Sequence, residues 1–344
     1  MKTSLSLSRA LGLAGVLAML VPGPAPAQEP ARPVPHVGLT LRPWAKEPQV
    51  MDPVALAHDD RGRLYVAETA RRGTVDIDIR AHREWLLEDL ANQSVDDLRE
   101  SFRRWMAPER SAENAPWLRD RNGDGVHDWR DLETVKERIR VLEDATGSGR
   151  ADRSTLLGEG LNEEISGVVA GVLPWEDSVF VTAYPELKRL RDTDGDGRAD
   201  AWETVARGFG VHAAFDGHDL HGLIAGPDGK IYFSVGDNGF SVTTREGRRL
   251  HHPNTGGVLR MEPDGSQLEV FATGLRNPQE IAFDEDGNFF AVDNDGDLRD
   301  ERERFVHVAE GGDSGWRLHW QFRDPGWAEV TGQPDYNPWT DERM

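Results

Sequence analysis

Polar residues with catalytic potential flank a predicted β-hairpin in the middle of the chain. His218, Asp219 and His221 stand before its first strand, and Asp237 and Asn238 follow its second. A Gly-Pro-Asp-Gly turn joins the two strands. Because the outer ends of a hairpin meet, we expect these side chains to cluster at one rim. An imidazole such as that of His218 can take up a proton near neutral pH, although a structural histidine is the alternative reading.

A second candidate site lies in the segment Gly-Leu-Arg-Asn-Pro-Gln, residues 274–279. Arg276 offers a planar pair of donors that suits carboxylates, and Asn277 offers both a donor and an acceptor. Both residues stand just before a predicted strand. Taken alone, the segment is typical of a turn.

Residues 192–203 have the spacing of an EF-hand calcium loop, with glycine at the sixth position to permit the sharp bend. The flanking segments are predicted strands, so we expect a structural Ca²⁺ loop within a sheet. The predicted ligands are Asp192, Asp194, Asp196, Arg198 through its carbonyl, Asp200 and Glu203.

Other acidic segments resemble this loop less closely. Residues 120–131 form a second copy, and residues 144–152 a third copy with too few charges. An acidic segment at the end of a later predicted strand includes Asp293, Asp295 and Glu303, and it could hold an ion at the rim. The alternative for all of these segments is an acidic loop without an ion. The predicted ligands of the second copy are Asp120, Asn122, Asp124, Asp128 and Asp131.

The elements that carry these residues form a repeat of two strands joined by a glycine turn, seen around Gly62, Gly229 and Gly287. Repeats of this kind at blade-like spacing favour a β-propeller with polar strand ends facing a central funnel. A β-sandwich is the alternative. Helical spacing in residues 76–118 predicts a helical insertion, in which Ser94 is the expected N-cap of a helix.

The N-terminal residues predict that the chain is exported from the cytoplasm. Residues 1–27 have the charged start, apolar core and A-x-A site of a signal peptide. Residues 28–40 are rich in proline and are predicted to be a linker, and residues 41–344 are predicted to form the propeller domain. We therefore expect a periplasmic or secreted protein with no membrane span beyond the signal. The chain has no cysteine, so stability must come from core burial and bound ions, and its net charge of -21 argues against nucleic-acid binding.

Three motifs in order resemble the soluble quinoprotein glucose/sorbosone dehydrogenases: the stretch from His218 to Gly239, residues 274–279, and Gly-Gly-Asp-Ser-Gly-Trp at residues 311–316. The chain is similar in more detail to a subgroup, the exported "membrane-bound dehydrogenase" proteins of planctomycetes and verrucomicrobia. The resemblance implies an oxidoreductase with a six-bladed propeller that binds pyrroloquinoline quinone (PQQ) and Ca²⁺.

The same resemblance implies roles for single residues. His218 matches the base that takes the hydroxyl proton of a sugar or other alcohol while hydride passes to the quinone. Arg276 and Asn277 match residues that hold the PQQ carboxylates and quinone oxygens, and Glu303 lies in the stretch that matches the Ca²⁺ loop. Other residues expected at the cofactor are Asn238, Asp219 and His221.

The chain departs from the family at several points. Gly217 and Asp219 replace an aspartate and a glutamine on either side of the histidine. The motifs cover only the N-terminal part of the family pattern, so we expect a ring about two blades short. The electron-accepting haem domain or cytochrome is expected outside this chain. Two further functions stay open: a Ca²⁺-stabilised, non-catalytic propeller that binds a glycan or a protein, and a lactonase-type metal hydrolase.

Overall fold

A computed structural model describes residues 38–213, 215, 217–294 and 302–323. The chain divides into two units, residues 1–42 and Pro43–Met344. The described part of the first unit, residues 38–42, is exposed and has neither helix nor strand. The predicted signal peptide and most of the predicted linker lie outside the described residues.

The second unit is built from antiparallel sheets. The first sheet contains β1 (Pro53–His58), β2 (Leu64–Glu68), β3 (Glu137–Glu143) and β4 (Arg153–Gly160) in that order. The second contains β5 (Gly171–Trp175), β6 (Ser178–Ala183), β7 (Glu186–Arg191) and β8 (Ala201–Arg207). In both, each strand pairs with the next along the chain, which is the topology of a propeller blade.

The third sheet contains β9 (Leu220–Ala225), β10 (Ile231–Val235), β13 (Gly256–Met261) and β14 (Glu269–Leu275), and the hairpin β11 (Phe240–Thr243) and β12 (Arg249–His252) is inserted after β10. The fourth contains β15 (Pro278–Phe283), β16 (Phe289–Asp293) and β17 (Arg304–His307). The first strands of successive sheets pack side by side, β1 on β5, β5 on β9 and β9 on β15. The prediction of an all-β, propeller-like fold is confirmed at this level.

Apolar clusters fill the space between successive sheets. Val141 and Val181 belong to the cluster between the first two sheets. Phe180 and Phe233 belong to the next cluster, and Tyr232 and Phe289 to the last. Burying one such side chain contributes roughly 1.5–3 kcal/mol, so each sheet depends on its neighbour for stability. This packing fixes the strand ends that carry the site.

Short helices fill the long connection between β2 and β3. They are α1 (Leu86–Ala91), α2 (Val95–Trp105) and α3 (Ser111–Asn114), with 3₁₀ turns at Ile79–Ala81, Arg83–Trp85, Pro108–Arg110 and Trp129–Thr134. A last 3₁₀ segment covers Leu318–Arg323. The Oγ of Ser94 accepts from the backbone N–H of Asp97 at 3.2 Å, which caps α2 as its sequence predicts.

The helical segment is part of the core. Its Phe102 and Trp105 share an apolar cluster with Ile165, Phe215 and Phe322, which come from distant parts of the chain. The predicted helical insertion therefore packs into the core and is not a surface decoration. Through Phe215, the segment reaches the neighbourhood of His218.

One strand is shorter than its sequence indicates. The apolar residues 165–172 predict a continuous strand, but β5 begins only at Gly171. The backbone N–H of Val168 instead donates to Oδ1 of Asp219 at 3.1 Å, and that of Val169 donates to Oε2 of Glu137 at 2.8 Å. Side-chain carboxylates thus replace the strand ladder at this point.

Candidate functional site

Three loops meet where inner strands begin or end. His218 stands just before β9, Asp237 just after β10, and Arg276 between β14 and β15. The backbone N–H of Asp237 donates to the carbonyl of Arg276 at 2.7 Å, and that of Gly236 donates to the carbonyl of Asp219 at 3.0 Å. These backbone bonds hold the predicted catalytic segments against one another.

His218 is buried and held at both its ring and its backbone. Its Nδ1 lies 2.6 Å from Oδ1 of Asp237, whose Oδ2 accepts from Nε1 of Trp316 at 2.7 Å. The hydroxyl of Tyr184 donates to the His218 carbonyl at 2.7 Å. A carboxylate on Nδ1 fixes the tautomer that leaves Nε2 as a proton acceptor.

The sequence predicts that Asp237 lies at the rim but indicates no role for it, and it indicates no role for Trp316. The signal for Asp237 was its position at the far end of the same hairpin. No local pattern could connect Trp316 to it, because 79 residues separate the two along the chain.

Glycines allow the backbone to approach His218 closely. A Cβ on Gly236 would lie 2.3 Å from the carbonyl oxygen of His218. Gly217 has a φ of +75°, and its Cβ would lie 2.2 Å from Nη1 of Arg72. The positive φ therefore favours glycine at position 217, before the histidine.

Arg276 is fully buried. Its Nε donates to Oε1 of Gln321 at 2.8 Å and its Nη1 to Oδ1 of Asn294 at 2.6 Å. Its Cζ lies 5.7 Å from the ring centroids of Phe215 and Trp316. The guanidinium thus shares two aromatic neighbours with His218 and Asp237, since Phe215 also lies 5.2 Å from the His218 ring.

Asn277 and Asn238 place amide oxygens, which accept hydrogen bonds, beside the segment that carries His218. Nδ2 of Asn277 donates to the carbonyl of Gly217 at 3.2 Å, and Nδ2 of Asn238 lies 3.5 Å from the carbonyl of Phe215. The Oδ1 atoms of both are buried and meet no donor at full hydrogen-bond geometry among the described residues, although the side chain of Asn277 lies close enough to His221 to raise its pKa slightly. A buried amide oxygen without a donor is costly, so both are suited to accept a bond from a ligand.

The side chains of Asp219 and His221 contact backbone groups near the His218 turn and not the ring of His218. Oδ1 of Asp219 accepts from the backbone N–H of Val168, so this carboxylate faces the second sheet and not the ring of His218. Burial, reinforced by the carboxylate of Asp76, raises the pKa of Asp219 well above its usual value. Nε2 of His221 lies 3.1 Å from the Gly217 carbonyl, and burial lowers the pKa of His221 to about 4.

The acidic segment after β16 does not gather into a metal site among the described residues. Oδ1 of Asp293 accepts from the backbone N–H groups of Arg276 and Asn277 at 3.0 and 2.8 Å, and its Oδ2 accepts from Nη2 of Arg304 at 2.9 Å. Burial raises the pKa of Asp293, against the opposing effect of Arg304. Glu303 is exposed, and Asp295 lies outside the described residues.

In the loop of residues 192–203, the carboxylate oxygens of Asp192, Asp194 and Asp196 lie within 4.8 Å of one another. Asp192 accepts from the backbone N–H groups of Gly195 and Gly197, both at 2.8 Å. This curls the loop around its first ligand, as in a calcium loop.

The later predicted ligands of this loop lie outside the cluster of three aspartates. Asp200 accepts from the backbone N–H of Thr193 at 2.9 Å, and the backbone N–H of Arg198 donates to Oδ1 of Asp196 at 2.7 Å. Glu203 lies on β8, where its two oxygens pair with Arg189 at 2.5 Å and Arg245 at 2.8 Å. Glu203 therefore does not join the three aspartates.

The other two loops repeat the same backbone curl. Asp120 accepts from the N–H of Gly125 at 3.0 Å, and Asp144 accepts from that of Gly149 at 2.7 Å. In the second copy, Asn122 accepts from the N–H of Asp124 at 2.9 Å. Its two final acidic residues, Asp128 and Asp131, are buried and form a capping box on the Trp129–Thr134 turn, so they face a helix start.

The fold and the site define an all-β, propeller-like chain with a buried histidine–carboxylate pair at its inner strand ends. Residues 34–310 match the model of the Domain of unknown function (DUF7133), and the chain belongs to this family. Among the described residues, no helix has the length and apolar character needed to cross a bilayer.

Individual relatives are more distant. The HIPL1 protein of Arabidopsis thaliana is 25% identical across 33% of this chain and 21% of its own length. Quinoprotein glucose dehydrogenase B of Acinetobacter calcoaceticus is 29% identical across 29% of this chain and 26% of its own length. The PQQ-bound aldose sugar dehydrogenase of Streptomyces coelicolor has 18% identity and a TM-score of 0.42, covering 80% of this chain and 65% of that one. The matches thus span about a quarter of the curated relatives.

Proposed function

We propose that this chain carries part of a quinoprotein dehydrogenase site, in which a sugar or another alcohol is oxidised with PQQ as cofactor. The 2.6 Å contact between His218 and Asp237 carries the proposal, because it prepares a buried imidazole to accept a proton. The similarity to quinoprotein glucose dehydrogenase B over 29% of the chain supports the choice of cofactor.

The residues present fit part of what PQQ requires. Arg276 is a buried guanidinium whose bonds to Gln321 and Asn294 go to neutral amide oxygens, which a carboxylate can replace. Arg276 and Asn277 would hold the carboxylates and quinone oxygens of the cofactor. When bound, PQQ supplies a quinone that accepts hydride from the alcohol carbon, leaving a carbonyl product.

His218 would act on the hydroxyl proton. Its Nε2 takes the proton, and Asp237 keeps the Nδ1 proton in place and stabilises the imidazolium that forms. The Oδ1 atoms of Asn238 and Asn277 would accept hydrogen bonds from the remaining hydroxyls of a polyhydroxylated substrate. Electrons would leave the reduced cofactor for a haem-bearing acceptor outside this chain.

Ca²⁺ enters the proposal as a structural ion. The three aspartates of the 192–203 loop supply its oxygens, and the loop packs on the first sheet, since the backbone N–H of Ala199 donates to the carbonyl of Leu157 at 2.7 Å. An ion there would tie the second sheet to the first.

The test is reconstitution of the chain with PQQ and Ca²⁺, followed by dye reduction over a panel of sugars and alcohols. His218→Ala should abolish the reduction, whereas His251→Ala, which removes an exposed imidazole on β12, should not change it. Equal rates for the wild type and His218→Ala would refute the catalytic role. PQQ binding, followed by absorbance, separates a lost cofactor site from a lost base.

One observation favours a second candidate, a non-catalytic propeller that binds a glycan or a protein. Both oxygens of Asp293 are occupied by protein donors, so the segment expected to place Ca²⁺ beside the quinone does not present this ligand. Absence of PQQ binding, together with retained Ca²⁺ binding, would support this candidate.

A further inference from the structure

A large cleft lies between the first two sheets, at the ends of the strands that are remote from His218. Its volume is about 750 Å³, which is in the range of small-molecule sites. The β1–β2 turn forms one rim and the β5–β6 turn forms the other. The start of β5 lies near the His218 turn, because Val168 bonds to Asp219, whereas the β5–β6 turn stands at the opposite end of that strand. The cleft is therefore separate from the candidate dehydrogenase site.

The hydroxyl of a buried tyrosine faces this cleft. Tyr65 is 5% exposed and lines the cleft, and its hydroxyl makes no hydrogen bond among the residues that the structure describes. The guanidinium of Arg63 lies over its ring, with Cζ 5.5 Å from the ring centroid. Burial raises the pKa of Tyr65, so the hydroxyl stays neutral. Such a hydroxyl can accept one hydrogen bond from a ligand and donate another.

The charges that line the cleft do not balance. Arg63 pairs with Asp59 at 2.7 Å and Arg153 pairs with Glu143 at 2.9 Å, so both of these guanidiniums are already neutralised. Arg61 is the remaining guanidinium of the lining. It faces carboxylates that form no ion pair within the described part of the chain, namely those of Asp60, Glu176, Asp177, Asp192 and Asp196.

Part of this negative charge remains even when the loop of residues 192–203 holds Ca²⁺. Asp60, Glu176 and Asp177 lie outside that loop and outnumber Arg61. They come from two turns on different sheets, so they line both rims of the cleft. An excess of negative charge on both rims favours a cationic ligand over a neutral or an anionic one.

The β5–β6 turn holds its glutamate in a strained backbone conformation. Trp175 pairs with Ser178, so the turn has two residues, and the first of them, Glu176, has a φ of +51°. This position of a tight hairpin turn favours glycine. The turn therefore places a carboxylate at the rim where glycine would suit the backbone better. The half-buried ring of Trp175 stands beside it and adds an aromatic surface that attracts cations.

We propose that this cleft binds a linear polyamine. Its ammonium groups would donate to the Tyr65 hydroxyl and to the carboxylates of both turns, and its methylene segments would pack against Trp175. The assignment depends neither on the proposed dehydrogenase activity nor on Ca²⁺ in the loop of residues 192–203.

The experiment titrates the full chain with spermidine by isothermal titration calorimetry in metal-free buffer. Tyr65→Phe, which keeps the ring, should weaken binding about tenfold, as expected for the loss of one hydrogen bond to a charged group. Asp60→Asn should weaken binding about two- to fivefold, as for one exposed charge pair.

Glu285→Gln is the matched control. It removes a carboxylate from the corresponding turn of the fourth sheet, where Asp284 accepts from the N–H of Asn288 as Asp59 does from that of Arg63. This turn does not line the cleft, so the affinity for spermidine should not change.

Glu176→Gly separates ligand binding from a structural role. Glycine tolerates the positive φ, so this variant should be at least as stable as the wild type in urea unfolding and yet bind spermidine more weakly. Unweakened binding in this variant would contradict the role of the β5–β6 turn.

The proposal would be overturned if the wild type does not bind spermidine, or if Tyr65→Phe and Asp60→Asn bind it as tightly as the wild type. An equal loss in Glu285→Gln would also overturn it, because binding would then reflect the acidic surface as a whole. A titration with cellobiose tests another occupant. Tyr65-dependent binding of this neutral disaccharide, without spermidine binding, would assign the cleft to a saccharide and refute the polyamine.

Discussion

The Nδ1 atom of His218, which precedes β9, lies 2.6 Å from Oδ1 of Asp237, which follows β10. Trp316 then donates to the other oxygen of Asp237 at 2.7 Å. Asp237 therefore fixes the imidazole of His218, and Trp316 fixes Asp237. Nε2 of His218 remains available to accept a proton. Such support is what distinguishes a positioned base from an ordinary buried histidine.

Asp237→Asn should lower kcat by about 10²-fold or more in the PQQ-reconstituted chain, because an amide no longer fixes the Nδ1–H tautomer of His218 or stabilises its charged form. Trp316→Phe should have a smaller effect, since the carboxylate remains. Steady-state dye reduction measures both. An Asp237→Asn protein with wild-type kcat would contradict this role.

The neutral state of His221 should make the protein less stable in acid. Its pKa falls from 6.5 to about 4 on folding, so the unfolded chain binds a proton that the folded chain does not. The free energy of unfolding should therefore decrease as pH falls from 6.5 to 4, by roughly 3 kcal/mol from this residue. Urea unfolding at several pH values measures the slope.

The comparison with His221→Gln isolates this contribution, because glutamine does not titrate. Asp219 acts in the opposite sense: its raised pKa gives stability that is present at low pH and lost as pH rises. The variant should therefore show a flatter or reversed acid dependence. Parallel pH profiles for the wild type and His221→Gln would show that His221 is not the source.

The sequence predicts the strands and the gathering of His218, Asp237 and Asn238, because hairpin geometry is local. It also predicts the curl of the acidic loops, which follows from glycine and aspartate at fixed spacing. It does not predict the bond of Trp316 to Asp237, which depends on how the last 3₁₀ segment returns to the third sheet.

The direction in which the Asp219 side chain points is also not predictable from the sequence. Sequence position next to His218 suggests a contact with a cofactor, whereas the structure turns the carboxylate toward Val168 and the second sheet. Successive residues near a strand start point to opposite sides, and only the packing of neighbouring sheets decides what each side faces. The direction of Glu203 is settled likewise, by Arg189 on the paired strand β7.

Ca²⁺ should stabilise the chain through the loop of residues 192–203. A ligand at a hundred times its Kd adds about 2.7 kcal/mol to the free energy of unfolding, so the melting temperature should rise with Ca²⁺ and fall with chelator. Asp192→Asn should reduce this response by removing the ligand that accepts from Gly195 and Gly197. Differential scanning calorimetry with and without Ca²⁺ measures it.

Asp144→Asn is the matched control for this loop. Asp144 accepts from Gly149 in the same curl at 2.7 Å, but its loop lacks the neighbouring carboxylates that gather around Asp192. The Ca²⁺-dependent shift should therefore persist in Asp144→Asn. A shift that disappears equally in both variants would mean that loop folding, and not a cation at Asp192, controls the response.

Gly167→Ala should destabilise the junction of the second and third sheets. An added Cβ would lie 1.8 Å from Oδ1 of Asp219 and 3.4 Å from Cβ of Tyr184, so Asp219 must move from its bond to Val168. Overpacking of this kind costs about 1–3 kcal/mol, and urea unfolding would measure the loss. Gly160→Ala is the control, because its Cβ meets Trp202 at 3.6 Å, an ordinary contact.

A double variant locates the cause of this destabilisation. In the Asp219→Ala background the oxygen that Gly167→Ala would strike is gone, so the second substitution should cost less than it does in the wild type. The non-additivity measures the clash itself. If Gly167→Ala lowers the free energy of unfolding equally in both backgrounds, the strain arises elsewhere in the backbone of residues 166–169. Asp219 is then not the reason that glycine is needed at this position.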